Sequence, residues 1–220
     1  MYEVIILTIS PELERNEFDT LLPLVSPEKQ ERIKKFRLFQ DARNCLLGDI
    51  LSRVEICRAT GFNNRQLKFT VNNFGKPLLI SCPDIHYNIS HSRDYIACVI
   101  ADKPVGIDVE VIKPINLKIA ERFFSPDETS YIMAGEKALR FYEVWTKKES
   151  HVKWEGKGLN KPLASFSVID KGKHDRPIYH KIFHTSEAIC HTCSLINTPP
   201  SVRFIDTVHL QAYAMGLDPY

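Results

Sequence analysis

The sequence has no long apolar run, and no stretch approaches the 18 or so consecutive apolar residues that a membrane helix needs. It opens Met1-Tyr2-Glu3-Val4-Ile5-Ile6-Leu7, with no basic leader and an apolar core too short for a signal peptide, so the expected location is cytoplasmic, with no membrane partner. Charge of either sign is not in excess. The 29 Lys and Arg against 27 Asp and Glu leave a net charge of +2. A dedicated nucleic-acid binder carries a heavier basic surplus, so no nucleic-acid partner is expected and any anion must be handled locally. The six cysteines, in 220 residues and without an export signal, are expected to be reduced thiols rather than a disulfide framework. With 44% hydrophobic and 25% charged residues, the chain has the composition of a globular protein with one large or two small domains.

Several catalytic signatures are absent as well. Gly156-Lys157-Gly158 lacks the spacing and the Lys-Ser/Thr of a Walker loop, and no Gly-x-Ser-x-Gly elbow activates a serine. Cys190-His191-Thr192-Cys193 has no second Cys/His pair at finger spacing, and on a strand its thiols point to opposite sides. No internal repeat or low-complexity tract occurs.

What is present reads as alternating strands and helices in two successive halves. Residues 3–9 have strand character, and Ser26-Pro27-Glu28 starts a helix. Leu46, Ile50, Val54 and Cys57 form a helical stripe that ends at Gly61. Residues 67–71 alternate like a strand, Asn72 to Pro77 make a turn, and strands are expected near 85–89 and 95–100. Asp102-Lys103-Pro104 is the candidate boundary, dividing the chain into 1–102 and 103–220. The second half predicts a strand over 105–111, a helix over 116–124, and a Ser125-Pro126-Asp127-Glu128 capping box. A long amphipathic helix follows over 137–155, with Gly156 as its cap, then strands over 165–169, 178–184 and 188–195. The class is α+β, with two small helix-and-sheet units.

In Gly106-Ile107-Asp108-Val109-Glu110 the two carboxylates share one face of the strand, about 6.5–7 Å apart along it. An exposed acidic edge has the same pattern. In Trp145-Thr146-Lys147-Lys148-Glu149-Ser150-His151-Val152-Lys153, helical spacing stacks Trp145, Glu149 and Lys153 on one face with Lys148 beside them. Glu149 and Lys153 satisfy an ordinary surface ion pair, but Trp145 draws their stripe inward, where a buried Glu needs a cation or a metal. Asp108, Glu110 and Glu149 with lysines nearby suit magnesium, which takes one or two carboxylates, keeps waters and binds substrate phosphates. Ser90-His91 closes a strand, Gly75-Lys76 sits in a turn, and Lys29 and Arg32 lie one turn apart on the first helix. Each has a plain structural reading. Glu128 reads foremost as the capping-box acid of Ser125.

Taken in order, these segments resemble the surfactin-type (Sfp-type) 4′-phosphopantetheinyl transferases. The motifs are Ser26-Pro27-Glu28-Lys29, Leu46-Leu47-Gly48-Asp49, Phe74-Gly75-Lys76-Pro77, Tyr87-Asn88-Ile89-Ser90-His91-Ser92, Gly106-Ile107-Asp108-Val109-Glu110, Arg122-Phe123-Phe124-Ser125 and Trp145-Thr146-Lys147-Lys148-Glu149-Ser150. Lys153 and Glu155-Gly156-Lys157-Gly158-Leu159 complete a match over about residues 26–169. The resemblance implies a monomer of two pseudo-symmetric halves, each an antiparallel sheet packed with a long helix, and a site in the cleft between them. It implies magnesium on Asp108, Glu110 and Glu149, and coenzyme A contacts from Lys29, Arg32, Lys76, Ser90, His91 and Lys153. Cys45 departs from the hydroxyl residue common in the family.

The implied reaction transfers the phosphopantetheine arm of coenzyme A to a serine of a peptidyl or acyl carrier domain, with activation of nonribosomal peptide synthetases the favoured role. Lys153 would take up charge on the reacting oxygens. Glu149 is the first candidate for the base, with Glu128 the alternative that the family leaves open. A magnesium-dependent phosphohydrolase acting on a nucleotide would use the same carboxylates without a protein acceptor. A carrier-binding module without catalysis would not need them.

Overall fold

The computed structural model describes residues 1–9, 15–158, 161–169 and 177–220. Its first strand, β1 (Tyr2–Thr8), is apolar on both faces because both faces are covered. Ile5 and Leu7 turn towards a helical layer, while Val4 and Ile6 turn towards a second sheet. Beside β1 runs β5 (Tyr95–Ala101), then β4 (His86–Ser92), both antiparallel. On the other edge β9 (Ser201–Asp206) pairs in parallel, giving the order β4-β5-β1-β9. The 22-residue helix α3 (Phe39–Thr60) packs on the outer face through Leu46, Leu47, Ile50 and Leu51.

The second half repeats the plan. Antiparallel strands β6 (Val105–Val111), β8 (Ala188–Ser194) and β7 (Ile178–His184) form a sheet in the order β6-β8-β7. Its outer face receives α6 (Lys137–Glu155), with α4 (Lys118–Phe123) and α5 (Pro126–Met133) beside it. Val4, Ile6, Ala97 and Val99 of the first sheet meet Ile107, Val109 and Cys190 of the second, so the sheets lie face to face between the long helices. The expected α+β class and paired sheet-and-helix units are therefore found, with one addition, the parallel β9.

That addition carries the end of the chain back to the first half. α7 (Thr207–Ala214) follows β9, and Leu210 and Ala214 enter the core beneath α3. Tyr220 donates from its backbone amide to Pro23 O at 3.0 Å and from its hydroxyl to Leu67 O at 3.0 Å. The Arg53 guanidinium lies 4.9 Å from both the Phe69 and Tyr220 ring centres. The sequence reading did not place β9 or α7, although Val202 to Ile205 follow a Pro-Pro break and Asp206 caps the helix by accepting from the His209 amide. It also left out α1 (Arg15–Leu21) and β3 (Pro77–Leu79), the partner of β2 (Phe69–Val71) across the expected turn.

One expected strand is absent. Residues 163–165 form a short 3-10 turn and 166–169 run without a strand partner. The alternation there arises because Phe166 and Val168 pack into the cluster around α4 to α6. The predicted start of α2 (Pro27–Lys34) and the glycine caps at Gly61 and Gly156 are all observed.

Two buried histidines tie α6 to its sheet. His191 Nδ1 is 2.8 Å from Thr146 Oγ1, and His151 Nδ1 is 2.7 Å from Tyr179 Oη. Burial, then neighbouring Lys147, drives the His191 pKa down to about 3, and burial and Lys161 drive that of His151 to about 4. Both rings fold neutral but take up a proton in the unfolded chain below its pKa near 6.5. Stability is therefore full above that pH and lost as pH falls towards the folded values. Between pH 6.5 and 5, His191 alone is expected to cost roughly 1–2 kcal/mol. Urea unfolding at the two pH values should show this loss, and His191→Gln should flatten it.

Candidate active site

Strands β4 and β6 sit at the facing edges of different sheets, and side chains join them. Asn88, Ser90 and Ser92 alternate along β4 and so share a face. Asn88 Oδ1 accepts from the Ile107 amide at 3.0 Å. Ser90 Oγ donates to Asp108 Oδ1 at 2.8 Å. Ser92 Oγ donates to Glu110 Oε2 at 2.7 Å and accepts from the Val111 amide at 3.1 Å. The seam between the halves is thus a polar ladder built from side chains, and it holds Asp108 and Glu110 side by side.

From the other side, α6 presents Trp145, Glu149 and Lys153, one turn apart. Lys153 Nζ donates to Asp108 Oδ1 at 2.6 Å and to Ser90 Oγ at 2.9 Å. These residues, with Ile89, Ser90, His91, Asp108 and Glu110, line a cavity of about 360 Å³. Asp108 is 4% exposed, and its Oδ2 is buried without a hydrogen-bond partner among the described residues. The Glu149 carboxylate likewise has no hydrogen bond among them. Burial pushes the carboxyls of Asp108, Glu110 and Glu149 up. Asp108 adds to the rise at the other two, and Lys153 opposes it at all three. Negative charge is therefore packed beyond what one lysine offsets.

The remaining expected residues divide. His91 lines the same cavity, its imidazole held below the ordinary value by burial and by Lys153. Lys29 Nζ pairs with Asp49 Oδ2 at 2.9 Å, and Lys29 and Arg32 both ease the burial-driven rise of the Cys45 thiol. This cationic group meets α3, whose Gly48 packs against Ile89 of β4. Lys76 is not in the 360 Å³ cavity. It lines an adjoining one of about 320 Å³ that shares Glu149 and Lys153, and its ammonium donates to Val105 O at 3.1 Å and Trp154 O at 3.2 Å. Burial there lowers its pKa to about 8.

Glu128 is not brought to either cavity. It has no exposed surface and accepts from the Ser125 amide at 2.9 Å and the Val168 amide at 2.8 Å. Its Oε2 also pairs at 2.8 Å with Lys148, which has no exposed surface either and donates to Leu163 O at 2.7 Å. Lys148 therefore points away from its neighbour Glu149, into the body of the second half. The sequence reading missed the roles of Asn88, Ser92 and Asp49. The Asn-x-Ser-x-Ser alternation was the signal for the first two.

No group of three His, Cys, Asp or Glu residues converges on a ready-made metal position among the described residues. The donor types nonetheless fit a hard cation. Asp108 Oδ2 and the Glu149 carboxylate are unengaged, and magnesium asks for only one or two protein carboxylates beside its waters and a phosphate.

Two lobes present crowded carboxylates, a bridging lysine and flanking cations to a shared cleft, a set of groups suited to a phosphorylated ligand. Comparison with known proteins gives the family. Residues 104–214 match the model of the 4′-phosphopantetheinyl transferase superfamily, and residues 11–104 that of a 4′-phosphopantetheinyl transferase N-terminal region. The chain is 43% identical over 159 residues to the 4′-phosphopantetheinyl transferase Sfp of Bacillus subtilis, covering 71% of each chain. It is 39% identical over 184 residues to the transferase gsp of Aneurinibacillus migulanus, covering 81% of this chain and 76% of that one. The transferase ffp of Bacillus subtilis is 38% identical over 183 residues, with 78% and 82% covered. The chain belongs to the 4′-phosphopantetheinyl transferase superfamily.

Removing Lys148 would leave Glu128 buried without its counter-charge. Lys148→Met is expected to destabilise the fold by about 3–5 kcal/mol, measured by thermal or urea unfolding.

Proposed function

We propose that this enzyme transfers the 4′-phosphopantetheine arm of coenzyme A to a serine of a carrier domain, converting apo to holo carrier. The observation that carries this reading is Lys153, which bridges Ser90 and Asp108 across the seam beside the unpartnered Asp108 Oδ2 and the Glu149 carboxylate. The carrier serine oxygen attacks the phosphorus that bears pantetheine. The bond from that phosphorus to the bridging oxygen breaks, and adenosine 3′,5′-bisphosphate leaves. Glu149 accepts the serine proton, since its carboxylate is free of hydrogen bonds among the described residues and burial raises its proton affinity. Glu128, with its carboxylate engaged by Ser125, Val168 and Lys148, is not available for that task.

Magnesium held by Asp108, Glu110 and Glu149 would neutralise the pyrophosphate oxygens. Ser90, His91 and Lys153 orient the cosubstrate in the cavity that also holds Asp108 and Glu110. Lys29 and Arg32 lie along α2 beside α3, where Lys29 pairs with Asp49, and supply positive charge for the coenzyme A phosphates. Lys76 contributes to coenzyme A binding from the adjoining cavity. Residues 1–102 then supply most coenzyme A contacts and 103–220 the magnesium carboxylates. Peptidyl carriers of nonribosomal peptide synthesis are the favoured acceptors, acting with a cytoplasmic monomer. No helix among the described residues is long and apolar enough to cross a membrane.

Incubation with coenzyme A, magnesium and an apo carrier domain should raise the carrier's mass by one phosphopantetheine. Consumption of coenzyme A with an unmodified carrier would instead identify a phosphohydrolase. Glu149→Ala is expected to slow transfer by about 10²–10⁴-fold. Parallel assays on peptidyl and acyl carriers should give the higher kcat/KM for the peptidyl type.

A further inference from the structure

The β2–β3 hairpin, which belongs to the first half, grips the last turn of α6 in the second. Asn72 Nδ2 donates to Gly156 O at 2.8 Å, beside the two carbonyl contacts of Lys76. Asn72 Oδ1 meanwhile accepts from the Phe74 and Lys76 amides, each at 2.9 Å. One side chain thus shapes the turn and holds the helix end. The carbonyls of a last helical turn lack partners within the helix, and donors placed there complement its negative end. The fit is close. A Cβ at Gly156 would lie 2.9 Å from Lys76 Cδ and 3.0 Å from Asn72 Nδ2, so the grip closes on glycine, which the φ of +69° also favours.

The contact matters because of what lies beside it. Phe74, Gly75, Lys76 and Pro77 form a wall of the 320 Å³ cavity whose other side carries Glu149 and Lys153. Lys153 sits three residues before Gly156, in the turn that the hairpin holds. Movement of the hairpin therefore shifts both the cavity wall and the lysine that meets Ser90. Displacement of a catalytic group by about 1 Å costs on the order of 10²-fold in rate.

We infer that Asn72 is a positioning residue of this enzyme, fixing Lys153 against Ser90 and Asp108 by clamping the end of α6 to the hairpin. It acts through Gly156 and meets no reacting atom. The inference rests on the transfer reading given above.

Asn72→Asp keeps the acceptor for the turn amides but sets a carboxylate oxygen against Gly156 O. Its kcat for carrier loading should fall by about tenfold, with the carrier KM within about twofold of the parent. Asn72→Ala and Gly156→Ala should combine to less than the product of their separate effects, because one of the two groups that the added Cβ meets is gone. The chain has two tryptophans. In a Trp145→Phe background the emission of Trp154, whose carbonyl Lys76 holds, should shift on introducing Asn72→Asp. If Asn72→Asp fails to fold, as thermal unfolding would reveal, Asn72→Ser takes its place. A rate within twofold of the parent, or multiplicative effects of the two alanines, overturns the inference. Should the parent itself load no carrier, the transfer reading fails. The Trp154 emission then decides alone, and an unmoved spectrum overturns the clamp.

Discussion

One ammonium group organises the centre of this molecule. Lys153 reaches from α6 in the second half to Ser90 of the first and to Asp108 of β6, so three elements converge on a single charge. Without it, Asp108 would be a buried carboxylate next to two others, an arrangement that low-dielectric surroundings penalise heavily. With it, the seam closes but the acidic group remains under-compensated. A folded state that tolerates surplus negative charge has a partner for it in the ligands it binds. In the proposed reaction, a cation-borne pyrophosphate supplies both signs at once. The same interaction that joins the halves therefore leaves carboxylate oxygens open in the cleft.

The helix that carries this lysine works on two faces. Trp145, Glu149 and Lys153 address the cleft. Lys148, Thr146 and His151 address the interior, where they meet Glu128, His191 and Tyr179. Rotation of α6 would break the inner and the outer contacts together. The orientation of Glu149 is thus set by bonds on the far side of its own helix. A buried ion pair such as Lys148–Glu128 is a poor source of net stability, because desolvation consumes most of its attraction. Its value here is geometric, since Lys148 also draws the 162–168 segment onto the helix through Leu163 and Phe166.

Much of the frame was legible in the sequence because local rules and burial agreed. Apolar stripes, Ser-Pro starts and glycine stops marked α2, α3, α5 and α6, and the two-residue spacing of Asp108 and Glu110 gave a true shared face. The failures are also physical. Phe166 and Val168 alternate like a strand, yet pack into a helical cluster without a ladder. β9 and α7 are short, and their place is set by β1, some 200 positions earlier, which no local pattern encodes. Among candidate residues, spacing linked Trp145, Glu149 and Lys153 correctly. It could not tell that Lys148 and Glu128 would find each other, because their pairing depends on how α5 crosses α6. Nor could it show that Lys76 meets carbonyls of the other half rather than standing in a solvated turn.

The seam explains why polar residues recur at the contact between the halves although an apolar interface would bury more surface favourably. Val4, Ile6, Val99 and their partners already supply a dry core between the sheets. Asn88, Ser90 and Ser92 occupy its rim, where a backbone ladder between β4 and β6 would have used the same amides. Replacing that ladder with side chains spaces the strands apart and turns the strand-edge amides of Ile107 and Val111 towards hydroxyl and amide oxygens. The carboxylates of β6 are thereby held at the cleft by groups that donate one proton each and leave further lone pairs open. Joining the halves through side chains is what leaves carboxylate oxygens open at their junction.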